Sequence, residues 1–206
     1  MTEERKSHWE GIYGDKNSTE VSWYQEVPDK SLALVVSTGT SQEDAILDVG
    51  GGASTLVDHL LDAGYGDITV LDLASRAFDQ SRRRLGERAS AASWVVSDIT
   101  RFKPQRKYRL WHDRAVLHFL TDPADRRRYM SVLQQALDPG GHVVIAAFGP
   151  EGPLKCSGLE IRRYTIEMLA ELLGPEFELQ SHELDNHQTP MGATQQFLYS
   201  CWTRRG

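Results

Sequence analysis

Between about Ala45 and Phe148, short apolar runs alternate with stretches whose apolar residues recur every three or four positions. Runs of four or five β-branched and aliphatic residues suit buried strands, and the three-to-four spacing suits helices with one face on a core. Ala45-Ile46-Leu47-Asp48-Val49 is the first such strand, halted by Gly50-Gly51-Gly52. Ser54 then heads a helical pattern through Leu56, Val57, Leu60 and Leu61, with Gly64 as its stop. Ile68 to Asp72 predicts a second strand followed by a helix through Arg84, and Ser93 to Val96 a third strand that runs into Ser97-Asp98. Tyr108 to Trp111 predicts a fourth strand, Pro123 to Leu137 a helix, Asp138-Pro139-Gly140-Gly141 a turn, and His142 to Phe148 a fifth strand. Strands separated by helices imply a parallel sheet with right-handed crossovers.

The rhythm changes after Phe148. A Gly/Pro-rich loop from Gly149 to Gly158 leads to a helix over about Thr165 to Leu173, then to two strand-like stretches, Phe177 to Leu184 and Thr194 to Trp202, which predict a hairpin closing the sheet. Residues 1–44 read as a mainly helical lead-in carrying Trp9, Tyr13, Trp23 and Tyr24, and residues 45–206 as the core. At 206 residues the expectation is a single domain, a doubly wound, Rossmann-like α/β fold.

Composition changes this picture little. A 40% apolar and 25% charged chain is ordinary globular material, and a net charge of -6 argues against a nucleic-acid partner, which needs uncompensated Lys and Arg. The arginine clusters at 82–84 and 126–128 fall on predicted helices flanked by acids, as solvated helix faces do. Cys156 and Cys201 are far apart and in no metal-ligand spacing, so neither a disulfide framework nor a metal site is expected. No apolar run approaches the ~20 residues that cross a bilayer, and the first residues are polar. The expectation is a cytoplasmic protein without a membrane partner, monomeric or homodimeric.

The chemistry concentrates at strand ends. Asp48 and the turn Gly50-Gly51-Gly52 combine a carboxylate with a backbone that a ligand can approach closely. A pyrophosphate is the wrong partner for that acid, and Thr55 stands where a dinucleotide fingerprint has its third glycine. A nicotinamide oxidoreductase is therefore disfavoured. S-adenosylmethionine carries a sulfonium and an ammonium instead and suits the acid better. Asp72 lies 24 residues beyond Asp48, where acids meet ribose hydroxyls. Asp98 is placed to accept from an adenine amino group, with Leu73 and Ile99 as apolar walls. Taken singly, each acid is also explained as a strand terminator or helix cap.

The set Ile46-Leu47-Asp48-Val49-Gly50-Gly51-Gly52, Val70-Leu71-Asp72-Leu73, Ser97-Asp98-Ile99 and Leu137-Asp138-Pro139-Gly140-Gly141 resembles the class I S-adenosylmethionine-dependent methyltransferases. The resemblance implies a seven-stranded, mostly parallel sheet whose final strand is antiparallel, with S-adenosylmethionine as cofactor. Asp113-Arg114-Ala115, Asp122-Pro123-Ala124-Asp125-Arg126 and the Trp9/Tyr13 pair are similar to the thiopurine and thiol methyltransferases. That similarity implies that Trp9, Tyr13 and Arg114 help enclose cofactor and substrate. Trp9/Tyr13 and Ser22-Trp23-Tyr24 also resemble protein-lysine methyltransferases, from which His112-Asp113-Arg114 departs.

On the acceptor side, His112, Asp113, Arg114 and His118 follow the fourth strand, where the methyl group should point. An imidazole near pKa ~6.5 can take a proton from an amine or thiol. Arg114 can orient an anionic acceptor or pair with Asp113, and the ordinary alternative for each histidine is packing or a hydrogen bond. Methyl transfer from a sulfonium needs mainly alignment and desolvation, so a base is optional. The expected function is methyl transfer to a small molecule with a thiol or other soft nucleophile. Protein-lysine transfer and a non-catalytic cofactor-binding module are the alternatives.

Overall fold

The computed structural model describes residues 3–206; Met1 and Thr2, the start of the expected lead-in, lie outside the described residues. Two helices, α1 (Glu3–Asp15) and α2 (Asp29–Ser37), precede the alternating core. The core runs β1 (Ile46–Val49), α3 (Leu56–Asp62), β2 (Ile68–Asp72), α4 (Ser75–Leu85), β3 (Ala92–Val96), β4 (Tyr108–Arg114), α5 (Pro123–Ala136) and β5 (Leu137–Phe148). A small hairpin, β6 (Lys155–Cys156) and β7 (Leu159–Glu160), then leads to α6 (Ile166–Leu173), β8 (Phe177–Gln188) and β9 (Thr194–Arg204).

Seven strands form one sheet in the order β3-β2-β1-β4-β5-β9-β8. Strands β1 to β5 are mutually parallel, while β9 is antiparallel to both neighbours, β5 and β8. The expected single reversed strand is therefore β9. The order reverses between β1 and β4, which is where open α/β sheets leave a crevice at the carboxyl ends of their strands.

Alternation along the strands decides which face each side chain reaches. Ile46 and Leu110 pack with Val35 of α2 and Leu56 and Leu60 of α3 on one face. Leu47, Val49 and Trp111 pack with Tyr129 and Leu133 of α5 on the other. Asp48 and His112, partners in register, share the α2 face, and Asp113 shares the α5 face. The same parity that builds the two cores thus separates the acids of β1 and β4.

Three expectations need adjusting. The turn at Asp138 to Gly141 lies within β5, where the register slips from Tyr108 opposite Leu137 to Leu110 opposite His142; this bulge absorbs the extra residues, with Gly140 at φ +73°. The fourth strand continues through Arg114, and β8 and β9 pair as far as Gln188 and Thr194, beyond the apolar runs that announced them. Within the Gly149–Gly158 loop the hairpin β6–β7 turns on Ser157 and Gly158, both at positive φ.

Asp113 is fully buried, and burial pushes its carboxyl up to about 6. It is held by Tyr129 Oη, which donates to it at 2.7 Å, while Trp111 Nε1 donates to the same phenol at 2.9 Å. Tyr129→Phe leaves both groups without that partner, so chemical denaturation should show a loss of about 2–4 kcal/mol.

Candidate functional site

The carboxyl ends of β1, β2, β3 and β4 surround a cavity of about 710 Å³, part of it open to solvent. Its floor begins at Gly50, whose φ of +70° turns the chain sharply and whose missing Cβ leaves room for the Val116 side chain. Gly51 and Gly52 lie against the Asp48 and Asp72 carboxyls, where a Cβ would clash with each. The three glycines thus let two acids and a side chain from the turn after β4 converge on one turn.

Of the residues expected at the site, Trp9, Tyr13, Trp23, Gly50, Asp72, Leu73, Ile99 and Arg114 line the cavity. Gly51 and Gly52 stand behind it. Asp48, Asp98, His112, Asp113 and His118 are not part of its wall.

The physical reasons differ. His112 is buried, with Nδ1 2.7 Å from Asp48 Oδ1 and Nε2 2.9 Å from Ser31 Oγ, so both ring nitrogens are occupied on the α2 face. Asp113, besides Tyr129, accepts from the Val116 and Leu117 amides and shapes the turn after β4. His118 is fully buried and stacked 4.3 Å from Phe148, whose amide donates to its Nδ1 at 3.3 Å. Burial, helped by the Arg114 charge, pulls its pKa down to about 3. The expectation of these three side chains at the methyl end is corrected by their positions. Asp98 Oδ1 accepts from both the amide and the hydroxyl of Thr100, which turns that oxygen onto its own loop, while Ser97 and Ile99 face the cavity.

Asp72 is different. Its Oδ1 accepts from the Ala74 amide at 2.9 Å, and no side chain pairs with it in any described hydrogen bond or ion pair. Desolvation raises its pKa to about 7 against the opposing backbone hydrogen bonds, and the Asp48 charge adds to the rise.

The lead-in forms the cover. Glu10 of α1 accepts from the amides of Ser75 and Arg76 at the start of α4, and Gln80 donates to the Tyr13 and Lys16 carbonyls. Four carbonyls then tie down the following strap: His187 meets that of Ser22, Arg114 that of Trp23, Thr55 that of Gln25 and His59 that of Glu26. Trp9 packs edge-on against Trp23 and Phe119 with centroids 5.7 and 5.1 Å away. The sequence reading missed Val116, Phe119 and Leu120 in the wall. They share an i, i+3, i+4 spacing, which marks one face of a helical turn and was legible. Cys156, in the Gly149–Gly158 loop, also lines the wall. Among the described residues no group of three or more His, Cys, Asp or Glu is placed to hold a metal ion, and no helix is long and apolar enough to cross a membrane.

Residues 46–141, which include the glycine turn, Asp72 and Arg114, match the family model described as a methyltransferase domain. Nodulation protein S of Rhizobium tropici is 38% identical over 101 residues, 49% of this chain and 42% of that protein. The eEF1A lysine and N-terminal methyltransferase of Mus musculus is 27% identical over 117 residues, 56% of this chain and 16% of that protein. The chain therefore spans less than half the length of these curated relatives. The fold of the chain is shared with the 1,6-didemethyltoxoflavin-N1-methyltransferase of Burkholderia thailandensis. That structure superposes with a TM-score of 0.71 at 20% identity, over 98% of this chain and 85% of its own.

Because Asp72 titrates near 7 in the folded domain and at 3.8 when free, the native state holds its proton more tightly between those values. Folding therefore loses stability as pH rises through that window. Asp72→Asn should raise stability by roughly 2–4 kcal/mol at pH 8 and by little at pH 4, read from denaturation curves at the two pH values.

Proposed function

We propose that this chain is an S-adenosylmethionine-dependent methyltransferase acting on a small-molecule nitrogen or sulfur nucleophile. The observation that carries the reading is Asp72, a buried carboxylate without a side-chain partner, facing a cavity beside a glycine turn. An acceptor of that kind fits ribose hydroxyls. Leu71, Leu73, Ile99 and Leu120 supply apolar walls for an adenine, and Trp9, Tyr13 and Trp23 offer aromatic rings to a sulfonium. Asp48 Oδ2, buried without a hydrogen-bond partner next to Gly51, adds negative potential under the turn. The cofactor supplies an activated methyl group. This chain's residues hold the acceptor in line and exclude water.

Among the described residues, and apart from Asp72, which is given to the ribose, no side chain in the cavity is a ready base. Burial raises the Tyr13 phenol well above its ordinary value and pushes the Cys156 thiol up, and His118 lies outside the wall. The acceptor enters uncharged at its nucleophilic atom and gives up its proton after transfer.

The likeness to the toxoflavin N1-methyltransferase supports a small acceptor. A protein lysine is the second reading, favoured by the alignment with the eEF1A enzymes; a lysine ammonium would have to approach the Arg114 guanidinium.

Calorimetric titration should show saturable binding of S-adenosylhomocysteine and none of NADH, and Asp72→Ala should weaken that binding at least about tenfold. Equal affinity in the variant would overturn the ribose assignment. Affinity should also fall as pH drops below about 7, where Asp72 takes up its proton. The rate under saturation should show no limb near pH 6.5, because neither His112 nor His118 faces the acceptor.

A further inference from the structure

Helix α4 begins without the residues that usually finish a helix start. Its N-cap is Ala74, which offers no side-chain acceptor, and its first turn holds no acid. Helix α1 ends with no basic residue in its last turn. Each helix supplies what the other lacks. Glu10 of α1 spreads its carboxylate over the start of α4, accepting from the Ser75 amide at 2.8 Å, the Ser75 hydroxyl at 3.0 Å and the Arg76 amide at 3.2 Å. Arg76 of α4 returns a guanidinium to α1. Its Nη1 donates to the Glu10 carbonyl at 3.3 Å, and it lies against Gly14 in the last turn, where a Cβ would displace it. Burial pushes the Glu10 carboxyl up, but the amides and the hydroxyl outweigh it and hold the group below its ordinary value.

α1 depends on this clasp. Tyr13 is the one buried residue of its 13, and Gly11 and Gly14 weaken it further as a helix. A segment with so little buried apolar surface opens at lower free energy than the sheet core. Trp9 and Tyr13 line the cavity from this helix, whereas neither Glu10 nor Arg76 does. On the other side of the clasp, the Ala74 amide donates to Asp72 at 2.9 Å. Three successive amides at the start of α4 therefore serve two carboxylates, the acid read above as the ribose acceptor and the acid that fastens the cover.

We infer that Glu10 and Arg76 are positioning residues for the cofactor: together they close α1 over it, and their release opens the cover for its exchange. This rests on the reading of the cavity as the S-adenosylmethionine site and deepens it by naming what controls that site. Both residues act through Trp9 and Tyr13, and the first turn of α4 joins the cover to the ribose end. Linkage makes the effect reciprocal, so a clasp that strengthens cofactor binding is itself strengthened by the cofactor.

The test uses the full chain as wild type, Glu10→Ala, Glu10→Gln and Arg76→Ala. S-adenosylhomocysteine binding is read by calorimetry. Opening of the cover is read by mass spectrometry as the rate of tryptic cleavage after Lys16, whose carbonyl is held by Gln80 in the closed form. S-adenosylhomocysteine should slow that cleavage in wild type at least about fivefold. Glu10→Ala and Arg76→Ala should each speed cleavage of the free protein and weaken S-adenosylhomocysteine binding at least about fivefold. Glu10→Gln, whose amide oxygen still accepts from an amide of α4, should fall between them and wild type. Wild-type affinity in both alanine variants would overturn the inference, as would a wild-type cleavage rate indifferent to S-adenosylhomocysteine. So would weaker binding with cleavage after Lys16 unchanged, because the loss would not pass through the cover. Should Glu10→Ala fail to fold, Arg76→Ala, whose side chain is exposed, decides the same question. If wild type binds no S-adenosylhomocysteine while both alanine variants speed the cleavage, the clasp stands and the cofactor reading fails.

Discussion

A carboxylate taken out of water must find a partner inside the protein, and this fold buries three of them at the carboxyl ends of neighbouring strands. Asp48 pairs with His112, and through it with Ser31 of α2. Asp113 is satisfied by Tyr129 and two backbone amides. Asp72 has backbone donors alone and opens onto the cavity. Most of the site's arrangement follows from how the first two are satisfied, because their networks hold β1, β4, α2 and the turn after β4 in fixed relation around the third.

The chain of Ser31, His112 and Asp48 has the connectivity of a nucleophilic triad, but its surroundings make it structural. All three side chains are buried, and none lines the cavity. Its effect is to tie the lead-in to the strand that carries the glycine turn. The strap that follows α1 is fastened by four of its own carbonyls, so the aromatic cover is built on backbone hydrogen bonds as much as on ring packing. Arg114 belongs to the strap as well, one nitrogen closing it and another buried without a hydrogen-bond partner.

Among the described residues, Asp72 is the cavity-lining group with a pKa raised to about 7. A protein that offers geometry and dehydration in place of a base has to choose its acceptor by shape and charge. This cavity presents the aromatic rings of Trp9, Tyr13, Trp23 and Phe119 and the charge of Arg114. Stability and function pull against each other at Asp72, where the carboxylate that suits a ribose also resists ionisation in its buried place.

What could be read without coordinates was whatever a local pattern specifies. The alternation of strands and helices, the stop at Gly50 and the acids at 48, 72 and 98 are visible because strand burial, glycine turns and strand-end acids each have a short-range signature. The lead-in aromatics Trp9, Tyr13 and Trp23 were legible as a cluster by spacing and by resemblance, and they reach the cavity. The roles within the sequence His112 to His118 were not legible. One residue along a strand reverses the face, so His112 falls to α2, Asp113 to α5 and Arg114 to the cavity, and His118 disappears beneath Phe148. Which of these four polar groups reaches the cavity depends on the register of β4 between β1 and β5 and on the helices that cover each face. These are contacts between residues distant in the chain, and only the assembled sheet decides them.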